Sequence, residues 1–154
     1  MTIKNVKTKI EYEVQVEPIE DVDFKGLTQN RFSFVWKKEK DFSIWKLRLS
    51  GNTEILGLMS LDFIDSEMRV HIRLLANSIE NVGSRKIYSG IASCLIAYAC
   101  REAIVRYSDN ACVSLIPKTN LREYYKREYG MVNAGQSICL IGNGLIKMIQ
   151  KHNL

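Results

Sequence analysis

The feature that most constrains this chain is one long helical repeat with strand-like sequence on both sides of it. Within residues 89–107, Ile91, Ala92, Leu95, Ile96, Ala99, Ala103 and Ile104 recur on one broad helical face, and Arg101, Glu102 and Arg106 fall on the other. Such a helix lies against a sheet. Upstream, Ile44, Trp45, Lys46, Leu47, Arg48 and Leu49 alternate apolar and polar. Ser50, Gly51 and Asn52 form a turn cluster, and residues 54–63 make the second arm of a hairpin. Residues 64–67 reverse the chain, and Arg69, His71 and Arg73 then alternate with Val70, Ile72 and Leu74 in a third strand, completing an antiparallel meander.

Downstream, Asp109 and Asn110 end the helix, and residues 111–116 are the short apolar run expected of a strand buried on both faces, closed by Pro117. Residues 121–128 read as a short helix stopped by Gly130, and residues 131–141 as a final strand or a hairpin broken at Ala134 and Gly135. The tail, 144–152, reads as a terminal helix. The first 42 residues are the least regular. Val14, Val16 and Ile19 sit there among acids, in the pattern of a strand followed by a short helix.

A length of 154 residues, 46% of them hydrophobic and 25% charged, suits one domain and argues against a disordered tail or a coiled coil. The 22 Lys and Arg against 17 Asp and Glu leave a charge of +5, which favours an anionic partner such as a phosphorylated cofactor, a nucleic acid or an acidic surface. The excess is spread along the chain and does not choose among them. Cys94, Cys100, Cys112 and Cys139 form no Cys-x-x-Cys pair, so they read as small buried hydrophobes rather than as zinc ligands or disulfides, and no metal is expected. No stretch has the form of a signal peptide or reaches the ~20 apolar residues of a bilayer span, which gives a cytoplasmic expectation with no membrane partner.

Chemistry concentrates where residues 77–92 carry the chain from a strand into the long helix. The first turn of a helix has backbone N–H groups without intrahelical partners and the positive end of the macrodipole. Gly90 lets an anion approach that backbone, and Arg85 and Lys86 add charge just upstream. The plainer reading is a glycine that starts a helix beside a solvated basic pair.

The order of these elements resembles the GCN5-related N-acetyltransferase (GNAT) superfamily over about residues 44–142. In that family an Arg/Gln-x-x-Gly-x-Gly/Ala signature cradles the pyrophosphate of acetyl-CoA, and Gly90-Ile91-Ala92 matches its second half. Ile87 stands where the family has Arg or Gln, leaving Arg85, Lys86 or Ser89 to assist. The resemblance implies an α/β fold with a mixed, mostly antiparallel central sheet flanked by helices. It divides one domain, 1–154, into a variable segment 1–42, an acyl-CoA-binding core 43–142 and a tail 143–154.

It also implies that Leu74, Leu75 and Ala76 meet pantetheine through their backbone, as an added strand would. A tyrosine ahead of a Gly-Phe pair acts in the family as acid toward the departing thiolate. Tyr124-Tyr125-Lys-Arg-Glu-Tyr129-Gly130-Met131 is similar, with Tyr125 as first choice, Tyr124 as alternate, and packing on an amphipathic helix as the plainer role. The family's asparagine after the fifth strand is nearest to Asn120, while Lys118 holds the matching position. His71 titrates in the range useful for a base, with Asp62, Asp65 and Glu67 as rivals.

The implied activity is acetyl transfer from acetyl-CoA to an amine, small-molecule or peptide, by direct attack. An acyl-CoA-binding or protein-interaction module on the same fold is the alternative, and self-association into a homodimer stays open. A basic nucleic-acid adaptor is weaker: residues 31–40 interleave aromatic and basic residues, which a half-buried strand explains more simply.

Overall fold

A computed structural model describes residues 1–154. The chain opens with β1 (Thr2–Asn5) and β2 (Glu11–Pro18), then makes three short helical turns: a 3-10 turn at Asp21–Gly26, α1 (Gln29–Phe32) and a 3-10 turn at Trp36–Glu39. The meander follows as β3 (Ser43–Leu49), β4 (Ile55–Ile64) and β5 (Arg69–Asn77), then β6 (Tyr88–Ser89) and α2 (Ile91–Tyr107). β7 (Cys112–Leu115), α3 (Arg122–Tyr129), β8 (Val132–Ala134), β9 (Ser137–Ile141) and α4 (Asn143–Lys151) complete it. No helix is long and apolar enough to cross a membrane.

The nine strands form one mixed, mostly antiparallel sheet in the order β6-β1-β2-β3-β4-β5-β7-β9-β8. β1 pairs antiparallel with β2 and with β6, β2 with β3, β7 with β9, and β8 with β9. β5 and β7 run parallel, which their connection through α2 permits. By contacts the chain forms two compact units, each discontinuous: Met1–Ser60 with Leu74–Leu95, and Leu61–Arg73 with Ile96–Leu154.

In the first unit Phe24, Phe32, Trp36, Ile44, Leu58 and Ala76 form one buried cluster, with Ile19, Leu27, Phe34 and Leu74 packed against it. The 31–40 segment is therefore helical turns and not the strand expected. Two of its aromatic rings are committed to that core, Phe32 at 0% and Trp36 at 1% exposure, so those two offer no stacking surface to bases. α2 packs closely over Gly57 of β4: a Cβ there would lie 2.5 Å from Ile91 Cγ2 and 3.1 Å from Leu95 Cδ1. In the second unit Val70, Ile72, Val113, Leu115, Ile138 and Leu140 are buried, as are Met131, Leu145 and Met148.

One expectation about the long helix is corrected. Ser89 lies outside it, in β6, because the Gly90 turn separates the two. As the spacing leads one to expect, its charged side chains are Arg101, Glu102 and Arg106, while Cys94, Leu95, Ile96, Ala97, Ala99 and Cys100 are all fully buried. Three of the four cysteines are buried, and Cys112 is partly so.

Candidate functional site

In the first unit the end of β5 leads through a polar loop, residues 77–86, and β6 into the start of α2. Buried side chains hold the loop from behind. Ser78 is fully buried and donates its N–H to Leu56 O at 2.8 Å. Asn81, 1% exposed, donates Nδ2–H to Ser78 Oγ at 2.9 Å and accepts the Tyr88 N–H on Oδ1 at 2.9 Å, bridging the two ends of the loop. Arg31 Nη2 reaches Glu80 Oε1 at 2.8 Å, Glu54 Oε1 at 3.0 Å and the Ile55 carbonyl at 3.0 Å. Burial works to raise the Glu80 carboxyl, but Arg31, with bonds from the loop backbone and Ser78, overrides it and holds that carboxyl below its ordinary value.

Between these anchors Val82, Gly83, Ser84, Arg85 and Lys86 are exposed, and neither Arg85 nor Lys86 makes an ion pair. Ile87, 46% exposed, brings no charge to the loop. Tyr88 and Ser89 pair with Asn5 and Lys4 of β1, and the Ser89 hydroxyl is 3.5 Å from Lys4 O. Gly90 follows at φ +99, where L side chains are strained, and a Cβ there would meet only Ile3 atoms at 3.9 Å. Its requirement is conformational, not steric. The first intrahelical bond runs from Cys94 N–H to Gly90 O at 2.9 Å, so the N–H groups of Ile91 and Ala92 come before the ladder begins.

The Ile91 side chain is 1% exposed, so only its backbone can serve a ligand, and Ala92 is partly exposed. Leu74 and Leu75 are partly buried and Ala76 is buried. Beside them Asn77 Oδ1 is a buried acceptor without a partner. Sequence reasoning missed Asn77 and Asn81, since an asparagine in a loop ordinarily signals only a turn. Free helical N–H groups, two unpaired basic side chains and an orphaned acceptor fit a phosphorylated ligand that also carries amide N–H groups, as acyl-CoA does.

In the second unit the register sets His71 opposite Ser114 and Ser114 opposite Cys139. His71 Nδ1 is 2.8 Å from Ser114 Oγ, Arg69 Nη1 donates to the same Oγ at 2.7 Å, and that Nη1 is 3.3 Å from His71 Nδ1. Arg69 also pairs with Glu67 at 2.7 Å. Burial, then Arg69, lowers the His71 pKa, with Arg73 in the same sense and Asp62 opposing. Asp65 is engaged elsewhere, by Arg106 at 3.1 Å and the Tyr107 hydroxyl at 2.7 Å. Burial pushes the Cys112 thiol up to about 11 and Cys100 to about 12, so neither supplies a thiolate near neutrality.

α3 carries three tyrosines in mutual contact. Ring centroids are 6.0 Å apart for Tyr124 and Tyr125, 6.0 Å for Tyr124 and Tyr129, and 5.5 Å for Tyr125 and Tyr129. The helix is pinned by Arg122, whose Nη2 donates to Gln136 O at 2.6 Å, and it stops at Gly130, φ +71. Tyr124 is 41% exposed and Tyr125 partly buried. Burial, then Tyr124, raises the Tyr125 phenol above its ordinary value, so it stays protonated as a proton donor must. Asn120 and Lys118 are exposed ahead of α3. A cavity of about 390 Å³ between the end of α3, the β8–β9 hairpin and α4 includes Tyr129, Cys139 and Met148 and none of the expected site residues.

No family model and no curated protein matches the sequence. Solved structures do match. Mutant forms of the spermidine/spermine N-acetyltransferase SpeG from Vibrio cholerae are 13% identical, with 90% of this chain and 98% of that chain covered and a TM-score of 0.64. A bacterial toxin is 13% identical over 92% of this chain and 96% of that chain, with a TM-score of 0.61. A ribosomal-protein alanine N-acetyltransferase from Escherichia coli is 10% identical over 82% and 91%, with a TM-score of 0.57. The fold is thus the one these N-acetyltransferases share.

Proposed function

We propose that the chain is an acetyl-CoA-dependent N-acetyltransferase acting by direct attack of an amine. The observation that carries this reading is Gly90 at φ +99, immediately before the unpaired N–H groups of Ile91 and Ala92, on the fold of known acetyltransferases. Bound acetyl-CoA would supply the acetyl group as a thioester, the activated form an amine can attack. The backbone of Gly90, Ile91 and Ala92 holds the pyrophosphate, with Arg85 and Lys86 adding charge and Ser89 beside them. The backbone of Leu74, Leu75 and Ala76 pairs with pantetheine, and Asn120 assists at the start of α3.

As the C–N bond forms and the C–S bond breaks, Tyr125 gives its proton to the leaving thiolate and recovers one from solvent; Tyr124 is the alternate donor. The proton shed by the amine passes to water. A cytoplasmic setting suits four free cysteines.

A second reading, an acyl-CoA-binding module without catalysis, is favoured by Ile87 in the Arg/Gln position. One neighbour, a spermidine N-acetyltransferase from Vibrio cholerae, is described as dodecameric, and self-association of this chain, as a homodimer or larger, belongs to the same reading. Thermal denaturation with and without millimolar acetyl-CoA tests the core claim. A cofactor-dependent rise in Tm, absent in Gly90→Glu, is expected; no rise in the unaltered protein would exclude both readings.

A further inference from the structure

We propose that His71 acts as a fixed hydrogen-bond donor rather than a base, and that the amine it helps to seat carries an oxygen acceptor nearby, as an amino-acid or peptide amine does. This rests on the acetyltransferase reading. Ser114, 2% exposed, has one O–H to give and lone pairs to share. Arg69 can only donate, so its 2.7 Å approach uses a Ser114 lone pair. The buried O–H still needs an acceptor, and His71 Nδ1 at 2.8 Å is the one within reach. Arg69 Nη1, 3.3 Å from the same nitrogen, is a second donor turned toward it.

A proton on Nδ1 would face the Arg69 N–H and strand the Ser114 hydroxyl. The neutral ring therefore carries its proton on Nε2, and charging the ring meets the same conflict. Neither nitrogen is free to accept a proton: the Nδ1 lone pair is committed and Nε2 is occupied. The charged groups around the ring are Arg69 with its partner Glu67, Arg73 and Asp62, of mixed sign.

Nε2–H makes no bond within the protein and is offered to a ligand. Directed at the attacking amine it would tie up the lone pair that must react, so its partner is an oxygen beside that amine. A polyamine of methylenes and nitrogens has no such oxygen. A peptide or amino-acid amine has a carbonyl or carboxylate one carbon away.

Long-range 1H–15N correlation spectra of the labelled protein at neutral pH read the tautomer without any ligand. The chain has two histidines, so His152→Gln assigns the signals. The Nε2–H form is expected at His71, and Nδ1–H would overturn the proposal. The double variant Arg69→Met with Ser114→Ala should mix the two tautomers; an unchanged Nε2–H form would overturn the positioning by these residues. CoA release with alanyl-glycine and with spermidine tests the acceptor. The dipeptide should lead in kcat/KM by about tenfold, the worth of one hydrogen bond, and lose about that factor in His71→Leu but not in His71→Gln, which keeps a donor. Preference for spermidine, reaction with neither, or equal loss in both variants would overturn the donor role. Failure to bind acetyl-CoA would instead overturn the acetyltransferase reading, and with it the acceptor class, while the tautomer stands on its own spectrum.

Discussion

Around Gly90 the groups available to a ligand are backbone N–H donors, and side chains such as Asn81 and Arg31 act only from behind the loop. Around His71 and along α3 the arrangement is reversed: the strand and helix backbones are spent on secondary structure, and the groups that interact are side chains, the His71 imidazole with the buried Ser114 hydroxyl in one cluster and the α3 phenol rings with each other in another. A backbone site tolerates side-chain change except where a residue sets the chain's conformation. A side-chain site depends on the identity of each group. The two regions should therefore fail in different ways when altered.

The largest expected effect is in the side-chain region. Tyr125→Phe removes the proton donor while leaving the ring, so kcat should fall about 100-fold, roughly 2.7 kcal/mol of barrier, with the acetyl-CoA-induced rise in Tm unchanged. Because the Tyr125 phenol lies above its ordinary value of 10.0, it stays protonated as pH rises, and no alkaline loss of kcat assignable to it should appear below about pH 10. A normal rate in Tyr125→Phe would transfer the role to Tyr124 or remove it from α3.

Asn81→Ala comes next. It strands the Tyr88 N–H and removes the bond that the buried Ser78 hydroxyl accepts, and should cost about 2 kcal/mol in denaturant unfolding. Acetyl-CoA binding should weaken with it, since the anchored loop leads into the Gly90 turn. Unchanged binding would mean that the turn is set from α2 and β1 alone. The smallest effect belongs to Arg85→Gln with Lys86→Gln. Exposed charges contribute about 1 kcal/mol or less, so affinity should drop about fivefold or less and its salt dependence should flatten. A loss as large as that of Gly90→Glu would make this a side-chain site after all.

The same contrast explains what could be read from sequence. β3, β4, β5 and the body of α2 follow from alternation and helical spacing, because each buries enough apolar residues to leave a period in the text. β1 and β6 left none: they run over four and two residues, and their pairing joins segments far apart in the chain. The 31–40 segment misled because buried Phe32 and Trp36 sit four apart on helical turns, amid charges that suggested alternation. At the candidate site a backbone cradle writes only its glycine into the sequence, so Gly90 was legible and the anchors Asn81 and Arg31 were not. The Arg69–His71–Ser114 cluster joins two strands through a parallel register, which no local pattern encodes.

The pairing of β1 with β6 also bears on the order in which this molecule is built. Ser89 and Lys4 are 85 positions apart, so the lead-in to Gly90 gains its partner strand only after a long loop has closed, a step that is entropically costly and slow compared with local hairpins. During synthesis the meander of β3, β4 and β5 can form while the edge beside Gly90 is still open. Affinity for acetyl-CoA should then appear late in refolding, after most of the secondary structure, and would serve as a clock for completion of the first unit.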